Sequence, residues 1–177
     1  TSGTQNILLG SFAGDNLSAG TRNIAIGYNA LGAENDHGLC VAIGYQALKV
    51  QDAGTNAYNV AIGYDAGLSV STGTENILIG GLAGDALTTG QYNVVMGTHA
   101  LSNEDTGSRN TAIGHYALNA LNYDGAGYNT AVGFWAGLSV TTGQYNTIVG
   151  GLAGDAINTG TGNTLVGYQA GTAITDG

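Results

Sequence analysis

Proline is absent from this chain of 177 residues, and proline is the residue that cannot donate a backbone hydrogen bond inside a sheet. Charged side chains make up only 8 % of the residues, and the net charge is −9. An acidic chain lacks the basic surface that nucleic acids require, and anionic lipids repel it. No apolar run approaches the roughly 20 residues of a transmembrane helix. We therefore expect no nucleic-acid partner and no membrane insertion.

A short apolar phrase recurs ten times, and consecutive copies start 17 or 19 residues apart. The starting residues are Asn6, Asn23, Cys40, Asn59, Asn76, Asn93, Asn110, Asn129, Asn146 and Asn163. A fixed period of this length is typical of a solenoid, in which each repeat forms one coil that stacks on the next.

Each copy has the same internal pattern when its first residue is numbered zero. Positions one and three are mostly large or β-branched, whereas position two is usually small, and this alternation predicts a short strand. Position four is always Gly and position seven is always Ala. We predict an all-β, parallel β-solenoid (a β-roll) of ten 17–19-residue coils, with a second short strand through position seven. Stacked Asn side chains are expected to pair amide to amide along the rod.

A longer period of four coils lies on top of the first. The tract GGLAGDA occurs at 80–86 and again at 150–156. Residues 1–177 thus form a single array, with four-coil units at 6–75 and 76–145 and a partial unit at 146–177, and we expect it to be a piece of a longer fibre. Because such thin coils bury little apolar surface alone, the chain is expected to associate with copies of itself.

The phrase Val-Ala-Ile-Gly at 41–44 and 60–63, with Ala three residues after the Gly, resembles the head repeats of trimeric autotransporter adhesins. The longer tract TTGQYNTIVGGLAGDAINTGTGNTLVGYQAG at 141–171 is similar to the repeats of phage tail-fibre proteins. The resemblance implies a left-handed roll, a homotrimer, a location in a virion tail fibre or on a cell surface, and attachment to a cell-surface glycan or protein receptor. The 17-residue unit is longer than the unit of the adhesins.

The two longer coils carry their extra residues within 49–58 and 119–128, where we expect bulges. Tyr123 and Asp124 lie in the second bulge, and Phe134 and Trp135 follow in the next coil. Aromatic rings stack on sugar faces, and polar groups bind hydroxyls, so these four residues are the candidate receptor site. The alternative is that the bulges are spacers with ordinary surface tyrosines.

No catalytic, metal or cofactor site is predicted. His37, His99 and His115 fall at different positions of the repeat, and no local nucleophile, base and acid accompany them. The chain is therefore not expected to be an enzyme. Cys40 replaces Asn in its column and is expected to be a small buried residue.

The aspartates of the GD turns could suggest calcium, because one turn resembles a calcium-binding nonapeptide. However, Asp15, Asp85 and Asp155 are four coils apart, about 19 Å, which is too far for them to share an ion. We expect them to be solvated turn residues.

The predicted function is that of a structural and adhesive fibre segment, which gives reach and multivalent attachment to a receptor, with carbohydrate as the expected ligand. One alternative is a bacterial adhesin head that binds host matrix. Another is an ice-binding solenoid, which would be a monomer with one flat face. That second alternative is suggested by a column of threonines at position one of the last four coils: Thr111, Thr130, Thr147 and Thr164.

Overall fold

The computed structural model describes residues 3–176, and within them all regular secondary structure is β-strand. The ten strands are β1 (Ile7–Leu9), β2 (Ile24–Ile26), β3 (Val41–Ile43), β4 (Val60–Ile62), β5 (Ile77–Ile79), β6 (Val94–Met96), β7 (Thr111–Ile113), β8 (Thr130–Val132), β9 (Thr147–Val149) and β10 (Thr164–Val166). They form one sheet in chain order, and every neighbouring pair is parallel. The predicted all-β, parallel solenoid is confirmed. Residues 3–176 contain no helix that is long and apolar enough to cross a membrane.

The strands stack with equivalent repeat positions in register. Ala25 pairs with Ala42, and Ala42 pairs with Ala61 across the first 19-residue step. The backbone N–H of Val41 donates to the carbonyl of Asn59 at 2.9 Å. The two extra residues of a long coil therefore leave the sheet register unchanged, because they are accommodated in the segment that closes the coil.

The side chains of each strand alternate between the inside and the outside of the coil. Position two points inward and is fully buried in the inner strands β2–β9, as in Ala25, Leu78 and Val95. The larger residues at positions one and three point outward, and Ile77 and Met96 remain 39 % and 40 % exposed. A coil of 17 residues encloses little space, so the small residues fill the interior together with the buried position-seven alanines.

The second strand predicted through position seven is absent, and this part of the prediction is wrong. Positions six and eight have positive φ angles, for example 57° at His99 and 51° at Leu101. Strand geometry requires negative φ, so the segment forms consecutive turns. It still bonds from coil to coil, since the Leu101 N–H donates to the carbonyl of Ala117 at 3.0 Å.

The invariant Gly at position four is required by both backbone conformation and space. Gly97 has a φ of 142°, and a Cβ placed there would lie 2.3 Å from the carbonyl oxygen of Gly114 in the next coil. Only glycine tolerates that conformation at such a close approach.

The predicted amide-to-amide ladder of Asn side chains is confirmed from Asn76 to Asn163. Asn23 and Asn76 bond to the Asn of the preceding coil through their backbone N–H groups instead. The Asn93 side-chain amide donates to Asn76 Oδ1 at 3.1 Å and to the carbonyl of Gly107 at 2.9 Å. Asn93 Oδ1 in turn accepts the backbone N–H of Asn110 at 3.0 Å. These side chains are buried, so the ladder satisfies polar groups that water cannot reach.

Cys40 interrupts the Asn ladder and is fully buried, as predicted. Its backbone N–H still donates to Asn23 Oδ1 at 3.0 Å. Burial raises the pKa of the thiol to about 12, so Cys40 remains a protonated core residue.

Candidate binding surfaces

The outward side chains of β1–β10 form a continuous stripe, here called the strand face. It consists of positions one and three of every strand. Position three is apolar throughout: Leu9, Ile26, Ile43, Ile62, Ile79, Met96, Ile113, Val132, Val149 and Val166. At the parallel-strand spacing the stripe is about 43 Å long. Its side chains are half-buried or exposed in the single chain, and a solvent-accessible apolar stripe of this length is typical of an interaction surface.

Aromatic side chains follow the strands at position five in the first half of the array. The rings of Tyr28 and Tyr45 stack with their centroids 5.3 Å apart, and those of Tyr45 and Tyr64 stack at 5.2 Å. All three rings are exposed. Because each coil lies directly on the next, one ring per coil is enough to build a stacked column.

A second column occupies the position before the Asn. The guanidinium carbon of Arg109 lies 5.1 Å from the ring centre of Tyr92 and 5.7 Å from that of Tyr128. Tyr128 stacks on Tyr145 with 5.6 Å between centroids. The arginine therefore continues the column through cation–π contacts where no ring is present.

The four residues of the predicted receptor site lie in two groups. Phe134 and Trp135 stack at 5.0 Å and are 51 % and 37 % exposed. Phe134 also stacks on His115 at 5.4 Å. His115 contacts Tyr116, which stacks on His99. These five side chains are here called the aromatic cluster, in which His115, Phe134 and Trp135 are exposed while His99 and Tyr116 are half-buried.

Tyr123 and Asp124 belong to the bulge and have different surroundings. The Tyr123 side chain packs against the hydrophobic core, and its backbone N–H donates to Glu104 Oε2 at 3.0 Å. Asp124 is exposed and accepts a hydrogen bond from Thr106 Oγ1 at 2.8 Å. Among the described residues, no hydrogen bond or ring contact joins this pair to the aromatic cluster.

Two buried glutamates occupy equivalent places in the two four-coil units. Glu104 accepts the backbone N–H of Gly107 at 2.7 Å and that of Tyr123 at 3.0 Å. Burial raises the pKa of its carboxyl group. Burial likewise raises the pKa of Glu34, and the nearby charge of Asp52 adds to the rise.

Glu34, unlike Glu104, lies beside two other side chains that can bind a metal ion. One ligand atom from each of Glu34, His37 and Asp52 lies within 4.8 Å of the others, so these residues could hold a metal ion. The sequence pattern does not indicate this group, because Asp52 is one coil further along the chain than Glu34 and His37. A residue-by-residue alignment of the two four-coil units gives one signal, because it keeps the glutamate but pairs His37 with Gly107 and Asp52 with Asn122.

The turn aspartates are not uniformly solvated. Asp15 is exposed, as expected. Asp85 is half-buried, and its Oδ1 atom is buried without a hydrogen-bond partner. Burial raises the pKa of Asp85, so the expectation of a solvated side chain is wrong at this position.

The chain was compared with protein-family models, curated proteins and solved structures. None of them matches it.

Proposed function

We propose that this chain is a segment of a homotrimeric, adhesive fibre, in which three parallel chains associate through their strand faces. The observation that supports the proposal is the exposure of a regular apolar stripe. Ile62, Ile77 and Met96 are each more than a third exposed in a single chain. Covering such residues removes apolar area from water and favours association.

We infer the trimer and the left-handed winding from the resemblance to autotransporter adhesins and tail fibres. A three-fold axis parallel to the rod gives every chain the same environment and closes the assembly. The register of the strands supports this arrangement, because equal coil spacing lets parallel chains match along their whole length.

The association is tested with two lysines on the strand face, in the double variant Ile62→Lys and Met96→Lys. Both side chains are exposed in the single chain, so the variant is expected to fold yet to sediment as a monomer. The matched control places lysines at Thr55 and Asn122, which are exposed in the closing segments. The control should sediment as the wild type does. A trimer that survives lysines on the strand face would refute the proposed interface.

Receptor attachment is proposed for the aromatic cluster. Phe134 and Trp135 present stacked, exposed rings, and such rings bind the apolar faces of sugars. Three copies on one fibre would turn weak contacts into avidity.

A printed glycan array tests the attachment. The double variant Phe134→Ala and Trp135→Ala should lose the binding that the wild type shows. Tyr168→Ala is the control, because Tyr168 is 72 % exposed and lies outside the cluster. Equal binding by all three proteins would exclude the cluster as the receptor site.

Ice binding remains the second candidate, because the threonine column does lie on the strand face. Thr147 and Thr164 are exposed there. This function requires a monomer and a measurable thermal hysteresis. The third candidate, an adhesin head, shares the trimer and would bind matrix protein in place of glycan.

A further inference from the structure

The segments that close the second and third coils bring together three metal-ligating side chains. Glu34 and His37 lie in the second coil, and Asp52 lies in the longer third coil. One oxygen from each carboxylate and one imidazole nitrogen lie within 4.8 Å of one another. The coil register creates this group, because it places residues 15 to 18 positions apart in the chain side by side.

Glu34 is fully buried, yet only one of its two carboxylate oxygens has hydrogen-bond partners. Its Oε1 atom accepts the backbone N–H groups of His37 at 3.1 Å and Asn35 at 3.2 Å. Its Oε2 atom has no hydrogen-bond partner, and neither has His37 Nδ1, although both atoms are buried. Buried polar atoms are almost always partnered, so two orphaned ligand atoms in one group indicate a missing partner.

The backbone around His37 is fixed on both sides. Its N–H is bonded to Glu34, and its carbonyl accepts the side-chain amide of Asn23 at 3.1 Å. His37 Nδ1 lies 3.8 Å from Glu34 Oε1. Two of the three ligands are thus held near each other before any ion binds, which lowers the ordering cost of binding.

The second four-coil unit offers an internal comparison. Glu104 corresponds to Glu34, but Gly107 and Asn122 replace the histidine and the aspartate. There the carboxylate is satisfied by two backbone N–H groups, those of Gly107 and Tyr123. The glutamate is therefore kept in both units. Its carboxylate has an oxygen without a hydrogen-bond partner only in the first unit, where the histidine and the aspartate are also present.

We propose that Glu34, His37 and Asp52 bind one divalent first-row transition-metal ion, with Zn²⁺ as the reference ion. An imidazole nitrogen and two carboxylates are suitable ligands for zinc, and a water molecule would complete four-coordination. The two negative charges balance the ion. Calcium and magnesium are disfavoured because they prefer sites made only of oxygen ligands.

The geometry needs only a small contraction. Ligand atoms around tetrahedral zinc lie about 3.4 Å apart, given bond lengths near 2.1 Å. Asp52 is exposed, so its side chain is free to close the remaining distance. The ion would then link two successive coils and would bind only the folded chain, so that it stabilises the fold by mass action.

The test is a calorimetric titration of the whole metal-free chain with zinc chloride in the presence of a non-thiol reductant. We expect one ion per chain and an increase in the midpoint of thermal unfolding. The variants His37→Gly and Asp52→Asn introduce the residues of the second unit, so they are compatible with this fold. Each should weaken zinc binding at least about tenfold, and the double variant should abolish both the binding and the thermal shift.

His115→Gln is the control, because His115 is exposed and lies outside the group. It should bind zinc as the wild type does. Cys40→Ala should also bind normally, since the thiol is not among the three ligands. The proposal is overturned if the wild type binds no stoichiometric zinc, or if zinc binding persists unchanged in the double variant. Magnesium chloride should give no heat of binding at the same concentrations.

Discussion

Replacing Asn93 with alanine tests whether the Asn ladder stabilises the solenoid. Asn93 lies in the middle of the ladder and is fully buried. Its side-chain amide donates to the carbonyl of Gly107, and its Oδ1 accepts the backbone N–H of Asn110. Both partners lose their hydrogen bond when the side chain is removed.

The expected loss follows from those two groups. A buried donor or acceptor left without a partner costs about 1–3 kcal/mol. Two such groups give an expected loss of about 2–6 kcal/mol in the free energy of unfolding. Asn76 Oδ1 adds little, because it still accepts the backbone N–H of residue 93 at 3.0 Å.

Asn163→Ala is the matched control at the end of the ladder. Within residues 3–176, Asn163 is half-buried and its side-chain amide donates to Asn146 Oδ1 alone, and that oxygen keeps the backbone N–H of residue 163 at 2.9 Å. Its loss should be below about 1 kcal/mol. The assay is urea unfolding followed by circular dichroism, with the slope compared between variants. Equal destabilisation of the two variants, within about 0.5 kcal/mol, would refute the reasoning.

Three further predictions concern stability. Gly97→Ala should lower the free energy of unfolding by at least about 3 kcal/mol, because it places a Cβ 2.3 Å from a carbonyl oxygen. Gly54→Ala should cost only about 1 kcal/mol, because a Cβ there meets open space. Thermal unfolding distinguishes the two variants, and equal losses would contradict the packing argument. Cys40→Asn should stabilise by about 1 kcal/mol, because its amide oxygen would accept the backbone N–H of Asn59; a lower urea midpoint would contradict this. Glu104 has a raised pKa in the folded state, so the native state binds protons more tightly and stability falls as pH rises above about 4.5, the ordinary pKa of the carboxyl group. Glu104→Gln should flatten that fall on the alkaline side of pH 4.5, and an unchanged slope would exclude Glu104 as its cause.

The repeat pattern was sufficient to predict the strands and the ladder. The 17-residue period and the alternation of large and small side chains within each copy specify which residues pair. The structure pairs equivalent positions across every step, as with Ile24 and Val41. The buried Asn column followed from the same stacking. These features depend on local pattern alone, so the sequence contains them directly.

Other features depended on geometry that the pattern does not specify. Alternation at Ile24, Ala25 and Ile26 does not say which side faces the core, and the narrow interior decides it. The second strand was mispredicted because the hydrogen bonds between coils stabilise residues such as His99 at positive φ, which their side chains disfavour.

The candidate sites were predicted only in part for the same reason. Phe134 and Trp135 are neighbours in sequence, and they do stack. Tyr123 was grouped with them by proximity along the chain, but its ring packs against the core. Asp52 was overlooked because it meets His37 only through the stacking of two coils.

The most direct test of the account is the solution mass of the unmodified chain by sedimentation equilibrium. One chain has a mass of 17.6 kDa. We predict three times that mass over a range of loading concentrations, because association covers the apolar side chains of the strand face. A single-chain mass at every concentration would contradict the fibre proposal and would favour ice binding.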